Sequence, residues 1–363
     1  MTMLDTAYAR KAHLSRQFFT KGIGFGIMSG MAYGLFSAFV TVAMSVGVWA
    51  GWYSADSALS AFVTVYLLGV LGTGINDLVS AIWAIGIAGF KGKLMDFFRS
   101  IRTKPGLVIM VCAVIGGPIA TAAYVVSLQI AGSIIAPITA LCPALGAILS
   151  RFLFKQKLTP RMMLGILICL LATLMIGWSS LQSDAHPGAV LGCAIAFIAA
   201  LGWAIEGCVA GFGTTVVDYE IGITIRQFTS GLVNLVILVP IMALMAGNIR
   251  LAPQLTFEAF ASGKSMIFFV ISGFFALFAF SLWYKSNSMC GTALGMACNG
   301  AYSFWAPFFC WLVLGVVFGQ DGWALEPIAW VAAIVMFIGI LVIAVNPLDW
   351  FKKKTPVLDQ EAI

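Results

Sequence analysis

Long apolar runs separated by short polar or basic segments repeat along the whole chain. The runs cover 22–50, 60–90, 106–128, 133–154, 160–178, 188–211, 221–246, 265–284, 292–318 and 327–345. Crossing a hydrocarbon core takes about 20 helical residues, so each run predicts a membrane-spanning helix. The expected fold class is an all-α polytopic membrane protein with ten spans. The first run exceeds the apolar part of a signal peptide and no convincing processing site follows, so it reads as an uncleaved helix.

Detail within the runs refines this picture. Gly22, Gly26, Gly30 and Gly34 fall four residues apart in the first span, a flat ridge for close helix contact. Tyr33 follows at mid-span, while Trp49, Trp52 and Tyr53 suggest an interfacial aromatic belt. Prolines sit inside the third span (Pro118, after a Gly–Gly pair) and the fourth (Pro137 and Pro143).

Charge placement orients the spans. With a cytoplasmic amino end, 18 of the 20 basic residues fall on the inside and only Arg250 and Lys264 outside. That asymmetry predicts ten spans with both termini cytoplasmic. The polar stretch around 180–187 divides the chain into five spans on each side. An odd number per half turns the second half over in the membrane, which is the inverted-repeat plan of many transporters. The expected organisation is a cytoplasmic tail (1–21), a first five-helix repeat (22–179), an extracytoplasmic connector (180–187), a second repeat (188–346) and a cytoplasmic tail (347–363). Phe154-Lys155-Gln156 and Phe318-Gly319-Gln320 echo one another, each ending a span ahead of a proline that opens the next, Pro160 or Pro327.

Composition narrows the classes. The chain is 61% hydrophobic and 9% charged, with a mean hydropathy of +1.02, which excludes a soluble globular protein. The net charge of +6 does not point to nucleic acid, because the basic residues sit in short segments between apolar runs. Of the eight cysteines, seven lie within the runs and Cys290 in the short gap between two of them; there is no CxxC pair, and they read as packing residues. His13 and His186 lie outside the spans, and no HExxH or Walker sequence occurs. A metalloprotease, a histidine-based transferase and direct use of ATP therefore lack the residues they need, and no cofactor is expected. A retinal-type sensor would want a mid-span lysine, whereas Lys264 and Lys285 are at span ends.

Two carboxylates sit well inside apolar spans, Asp77 and Glu206. Asp77 lies 14 residues before Lys91, hence ~21 Å from that basic edge and near the bilayer midplane. An ionisable group at that depth is costly unless it faces a polar interior, so a functional role is expected. Gly69, Thr73, Asn76, Asp77 and Ser80 form one polar stripe; Asn76 by itself suits an interhelical hydrogen bond. Glu206 has Trp203 three residues earlier on the same face, and two readings stay open for it. It either pairs with Arg226, which begins the next span, or forms a substrate or proton site. Burial disfavours a charged carboxylate, which suits a group that gains and loses a proton in each cycle. Asn299 and Tyr302 share a face in the ninth span, and Gln227, Ser230 and Asn234 share one in the seventh, where knitting helices together is the better reading. A carboxylate among aromatic rings suits an organic cation, and the lack of a mid-membrane basic cluster argues against phosphorylated substrates. Asp77, Asn76, Glu206, Trp203, Tyr302, Asn299 and Tyr33 are thus the candidate substrate-binding residues, with Asp77 and Glu206 the candidates for proton coupling; no metal site is expected.

Residues 133–177 resemble the fourth and fifth helices of the drug/metabolite transporter superfamily, EamA type. The likeness rests on the A-x-x-x-x-L-x-P run (Ala136, Leu141, Pro143), a basic turn with Leu158, and a following helix with Gly165. The resemblance implies a ten-helix secondary transporter of a small organic molecule, and a plasma membrane or bacterial inner membrane. The residues favour a cationic or zwitterionic, amine-like solute; export or exchange of a neutral metabolite, and a receptor without transport, are the alternatives. The partners expected are the substrate and the lipid bilayer, with no nucleic acid; a homodimer is left open.

Overall fold

The computed structural model describes residues 3–131, 138, 141–155, 158–181, 189–213, 216–321, 323 and 327–344. Helices make up the fold, and no strand occurs among the described residues. Among the described residues, seven helices are long and apolar enough to cross a membrane, which makes this a multi-pass membrane protein. In lipid only such helices or closed barrels satisfy every backbone group.

The chain opens with α1 (Met3–Ala43), of which Gln17–Ala43 is apolar enough to span. The short α2 (Val48–Trp52) follows, then α3 (Val63–Phe90), whose first turn, Val63–Leu67, is π-helical. A surface helix, α4 (Leu94–Ser100), leads to α5, built from Lys104–Val114, a π turn at Ile115–Ile119 around Pro118, and Ala120–Ala131. Next come α6 (Cys142–Phe154), α7 (Pro160–Leu181) and α8 (Ala189–Gly213). Helix α9 (Tyr219–Met245) carries a π turn at Asn234–Leu238. Then follow α10 (Leu251–Ala261), α11 (Gly263–Cys290), α12 (Thr292–Asn299), α13 (Tyr302–Cys310, continued by a π turn at Trp311–Val317) and α14 (Pro327–Ala344).

Several expected boundaries shift, each for a local reason. The first span stops at Ala43 rather than at residue 50, because Gly47 takes φ 62° and folds the chain into α2. An added Cβ at Gly47 would strike the Ser262 hydroxyl, so the turn and the start of α11 meet at a glycine. Trp49 and Trp52 are buried against Phe269 and their neighbours instead of forming a belt; Tyr53 is exposed. The 247–263 segment, which lies between two apolar runs, contains α10. The ninth span is broken between α12 and α13. The start of the fourth span with Pro137, the connector at 182–187 and the tail lysines lie outside the described residues.

Close packing follows the small residues. The glycine ridge of α1 faces α11, α12 and α13: an added Cβ at Gly34 would stand 2.6 Å from the Trp305 carbonyl group, and one at Gly30 3.0 Å from the Asn299 carbonyl oxygen. In lipid, where apolar side chains have no water to escape, such close backbone approach supplies much of the association. Helix α3 is held in the same way. Gly231 on α9 and Gly273 on α11 bring those helices against its backbone at Leu78 and Ser80. Seven of the eight cysteines are buried and all are free thiols, as packing residues should be.

A buried charged cluster as candidate functional site

Polar residues on α3, α8, α9 and α11 meet where α3 is enclosed by its neighbours. Asp77 and Asn76 are buried on α3, Glu206 on α8, and Arg226, Gln227 and Ser230 on α9. Helix α9 starts at Tyr219 after Asp218, whose side chain caps it by accepting from the Glu220 N–H. Arg226 thus lies seven residues, ~10 Å, inside the helix. Its side chain is buried among those of α3, α8 and α11.

The guanidinium organises the cluster. Its Nε donates to Glu206 Oε1 at 2.7 Å and its Nη2 to Oε2 at 3.5 Å, a two-pronged pairing. Nη1 donates to Gln227 Oε1 at 2.6 Å and stands 3.6 Å from Asp77 Oδ2, an ion pair without a hydrogen bond. The Tyr284 hydroxyl donates to Glu206 Oε1 at 3.4 Å, and the Phe280 ring lies 4.1 Å from the guanidinium carbon. Asp77 accepts a 2.6 Å hydrogen bond from Ser230, and Gln227 donates to Ser80 at 2.8 Å. Two carboxylates thus share one arginine, and Glu206 holds the better part of it.

The Gly–Gly–Pro sequence of α5 makes room for this pairing. A Cβ added at Gly116 would collide with the Glu206 carboxylate, and one at Gly117 with the Ser230 hydroxyl. Pro118 lacks an N–H and the turn around it is π-helical, a distortion that often marks functional sites.

The other candidates are divided. Asn76 accepts from Ser272 at 2.7 Å and so ties α3 to α11, an interhelical role. Gln227 and Ser230 knit α9 to α3, whereas the Asn234 amide nitrogen is buried with no hydrogen-bond partner among the described residues. Asn299 donates to Ser29 at 2.7 Å, and Ser29 in turn donates to the Ala279 carbonyl. Tyr33 and Tyr302 pack 4.7 Å apart, and Phe280 stands 6.0 Å from Tyr33, linking these rings to Arg226. Trp203 pairs with Tyr124 at 5.5 Å and packs against the same apolar cluster as Phe280, the ring that stands over Arg226. Tyr33, Tyr124, Trp203, Phe280 and Tyr302 are all only partly buried. Among the described residues no group of three or more His, Cys, Asp or Glu could hold a metal ion.

No family model and no curated protein matches the chain. Its fold recurs among solved structures, 27 chains of which match. One of them, described only as "Crystal structure of protein", aligns at a TM-score of 0.61 over 89% of this chain and 96% of that one. The two are 16% identical, a likeness of fold alone.

Proposed function

We propose that this protein is a secondary transporter of a small cationic or zwitterionic amine, working by alternating access around the Asp77–Arg226–Glu206 cluster. The reading includes ten spans in two inverted five-helix units with both termini cytoplasmic, as the charge asymmetry and the resemblance to drug/metabolite transporters imply. The observation that carries it is the charge inventory of the buried cluster. Two carboxylates and one guanidinium leave one negative charge to be met, and a charge buried without a partner is costly.

Asp77 is the carboxylate with capacity to spare. Glu206 is held by two contacts to Arg226 and one to Tyr284, whereas Asp77 meets the guanidinium only through a longer ionic contact and is held by its neutral neighbours such as Ser230. A proton or a substrate ammonium at Asp77 balances the cluster. A substrate carboxylate would find Arg226 beside it, and the Tyr33, Phe280 and Tyr302 rings offer faces to a cation. The test is saturable uptake of radiolabelled amines by proteoliposomes containing the purified protein. Uptake present in the parent and lost in Asp77→Asn supports the reading; uptake unaffected by that change refutes it.

A further inference from the structure

Away from the central cluster, a cavity of about 480 Å³ opens beside α4, where three spans end together. Helix α3 finishes at Phe90, α5 begins at Lys104 and α9 at Tyr219, so the cavity sits at the level of the membrane surface. Its apolar floor includes Val217 and Ile221, and its polar wall carries Lys93, Arg99, Ser100, Asp96 and Asp218.

The charges of this wall are unevenly committed. Lys93 bonds to Asp218 at 3.0 Å and Glu220 at 2.9 Å, and Lys91 also bonds to Glu220. Those two carboxylates are therefore already neutralised by the lysines. Arg99 is different: its side chain is 76% exposed and its one ionic contact among the described residues is Asp96 at 3.9 Å, in the same short helix. Arg102 and Lys104 add two more exposed cations in the next few residues. On the neighbouring stretches of α3, α4 and α5, Phe90, Met95, Phe98, Leu107 and Val108 present exposed apolar side chains. Cations above apolar side chains at a span end fit one kind of partner, an anionic head group with acyl chains attached.

We infer that this cavity is a binding site for an anionic phospholipid, with the phosphate on Arg99 and the acyl chains along the Leu107–Val108 side of α5. Charge complementarity selects the lipid class: a zwitterionic head group brings its own cation and gains less from Arg99. The inference is independent of the transport reading, since it needs only a protein resident in a membrane. Basic side chains near a membrane surface each strengthen anionic lipid binding by about fivefold. Asp96 works against the phosphate, so its removal should act in the opposite direction.

The experiment is native mass spectrometry of the full chain titrated with phosphatidylglycerol and phosphatidylcholine of identical acyl chains. Expected are preferential retention of phosphatidylglycerol, a preference about fivefold weaker in Arg99→Gln, and a stronger one in Asp96→Asn. Arg250→Gln, beyond the far end of α9, should leave the preference unchanged. Because Arg99, Asp96 and Arg250 are exposed, each variant should fold, and an unaltered melting temperature without lipid confirms it. Equal retention of the two lipids overturns the inference. So does an Arg250→Gln variant that loses as much preference as Arg99→Gln, which would indicate diffuse attraction and no site.

Discussion

Glu206→Gln should lower stability markedly, and more than Asp77→Asn does. Replacing one partner of a buried ion pair leaves the other charge uncompensated, a loss of about 3–5 kcal/mol. Here Arg226 would keep Asp77 at 3.6 Å and Gln227 at 2.6 Å, and glutamine can still accept from Nε. The expected loss is therefore at the low end, about 3 kcal/mol. Asp77→Asn removes only the longer contact and preserves an acceptor for Ser230, so about 1 kcal/mol is expected, the size of one ordinary hydrogen bond. In thermal unfolding of the purified protein, these correspond to falls of about 4 °C and about 1 °C. A double variant, Glu206→Gln with Arg226→Met, made in the Asp77→Asn background so that no carboxylate is left unpaired, should recover part of the loss, because removing every partner of a buried ion cluster is far milder than removing one. If Glu206→Gln melts like the parent, or if the two substitutions are simply additive, Glu206 is not the neutraliser of Arg226.

Further expectations follow from the packing and the surface. Gly116→Ala should destabilise by about 1–3 kcal/mol, because the new methyl falls on the Glu206 carboxylate; thermal unfolding reads it directly. Gly34→Val should prevent close packing of α1 on α13, seen as loss of monodisperse protein on gel filtration. Lys93→Ala should lose less than about 1 kcal/mol at neutral pH, and less still in high salt, because the pair is partly exposed. Hydrogen bonds to Glu220 and then Asp218 hold the Lys93 ammonium above its ordinary pKa. Its contribution is thus complete below that ordinary value and is lost only as pH rises through the raised one, which melting curves at neutral and strongly alkaline pH would show.

Hydropathy made the membrane class and most span limits legible, because thirty-one residues without a Lys or Arg around Asp77 admit few other structures. The same logic exposed Asp77 and Glu206, since a carboxylate in an apolar run stands out against its neighbours. What periodicity does not report is depth and partnership across distant segments. Arg226 reads as lying near a span end, yet the helix starts earlier, at Tyr219, and buries it. Pairing across 149 residues with Asp77 leaves no local trace, although Glu206 and Arg226 are close enough in sequence for their pairing to be foreseen as one of two options. The Trp203–Glu206 spacing points to one aromatic neighbour on α8, but the ring over Arg226, Phe280, comes from α11 and leaves no local trace. The π turns and the break between α12 and α13 are likewise products of packing and carry no hydropathy signal. Gly116–Gly117–Pro118 offered the one visible hint, a pattern that reads as a helix distortion but not as a cradle for Glu206.

Counterflow in proteoliposomes tests the central claim most directly: vesicles loaded with one unlabelled amine are diluted into trace label, for the parent and Asp77→Asn side by side. The account predicts transient, saturable accumulation of a cationic or zwitterionic amine in the parent and none in Asp77→Asn, while the variant still elutes as folded protein. Equal accumulation by both, or accumulation only of phosphorylated or purely anionic solutes, would contradict it.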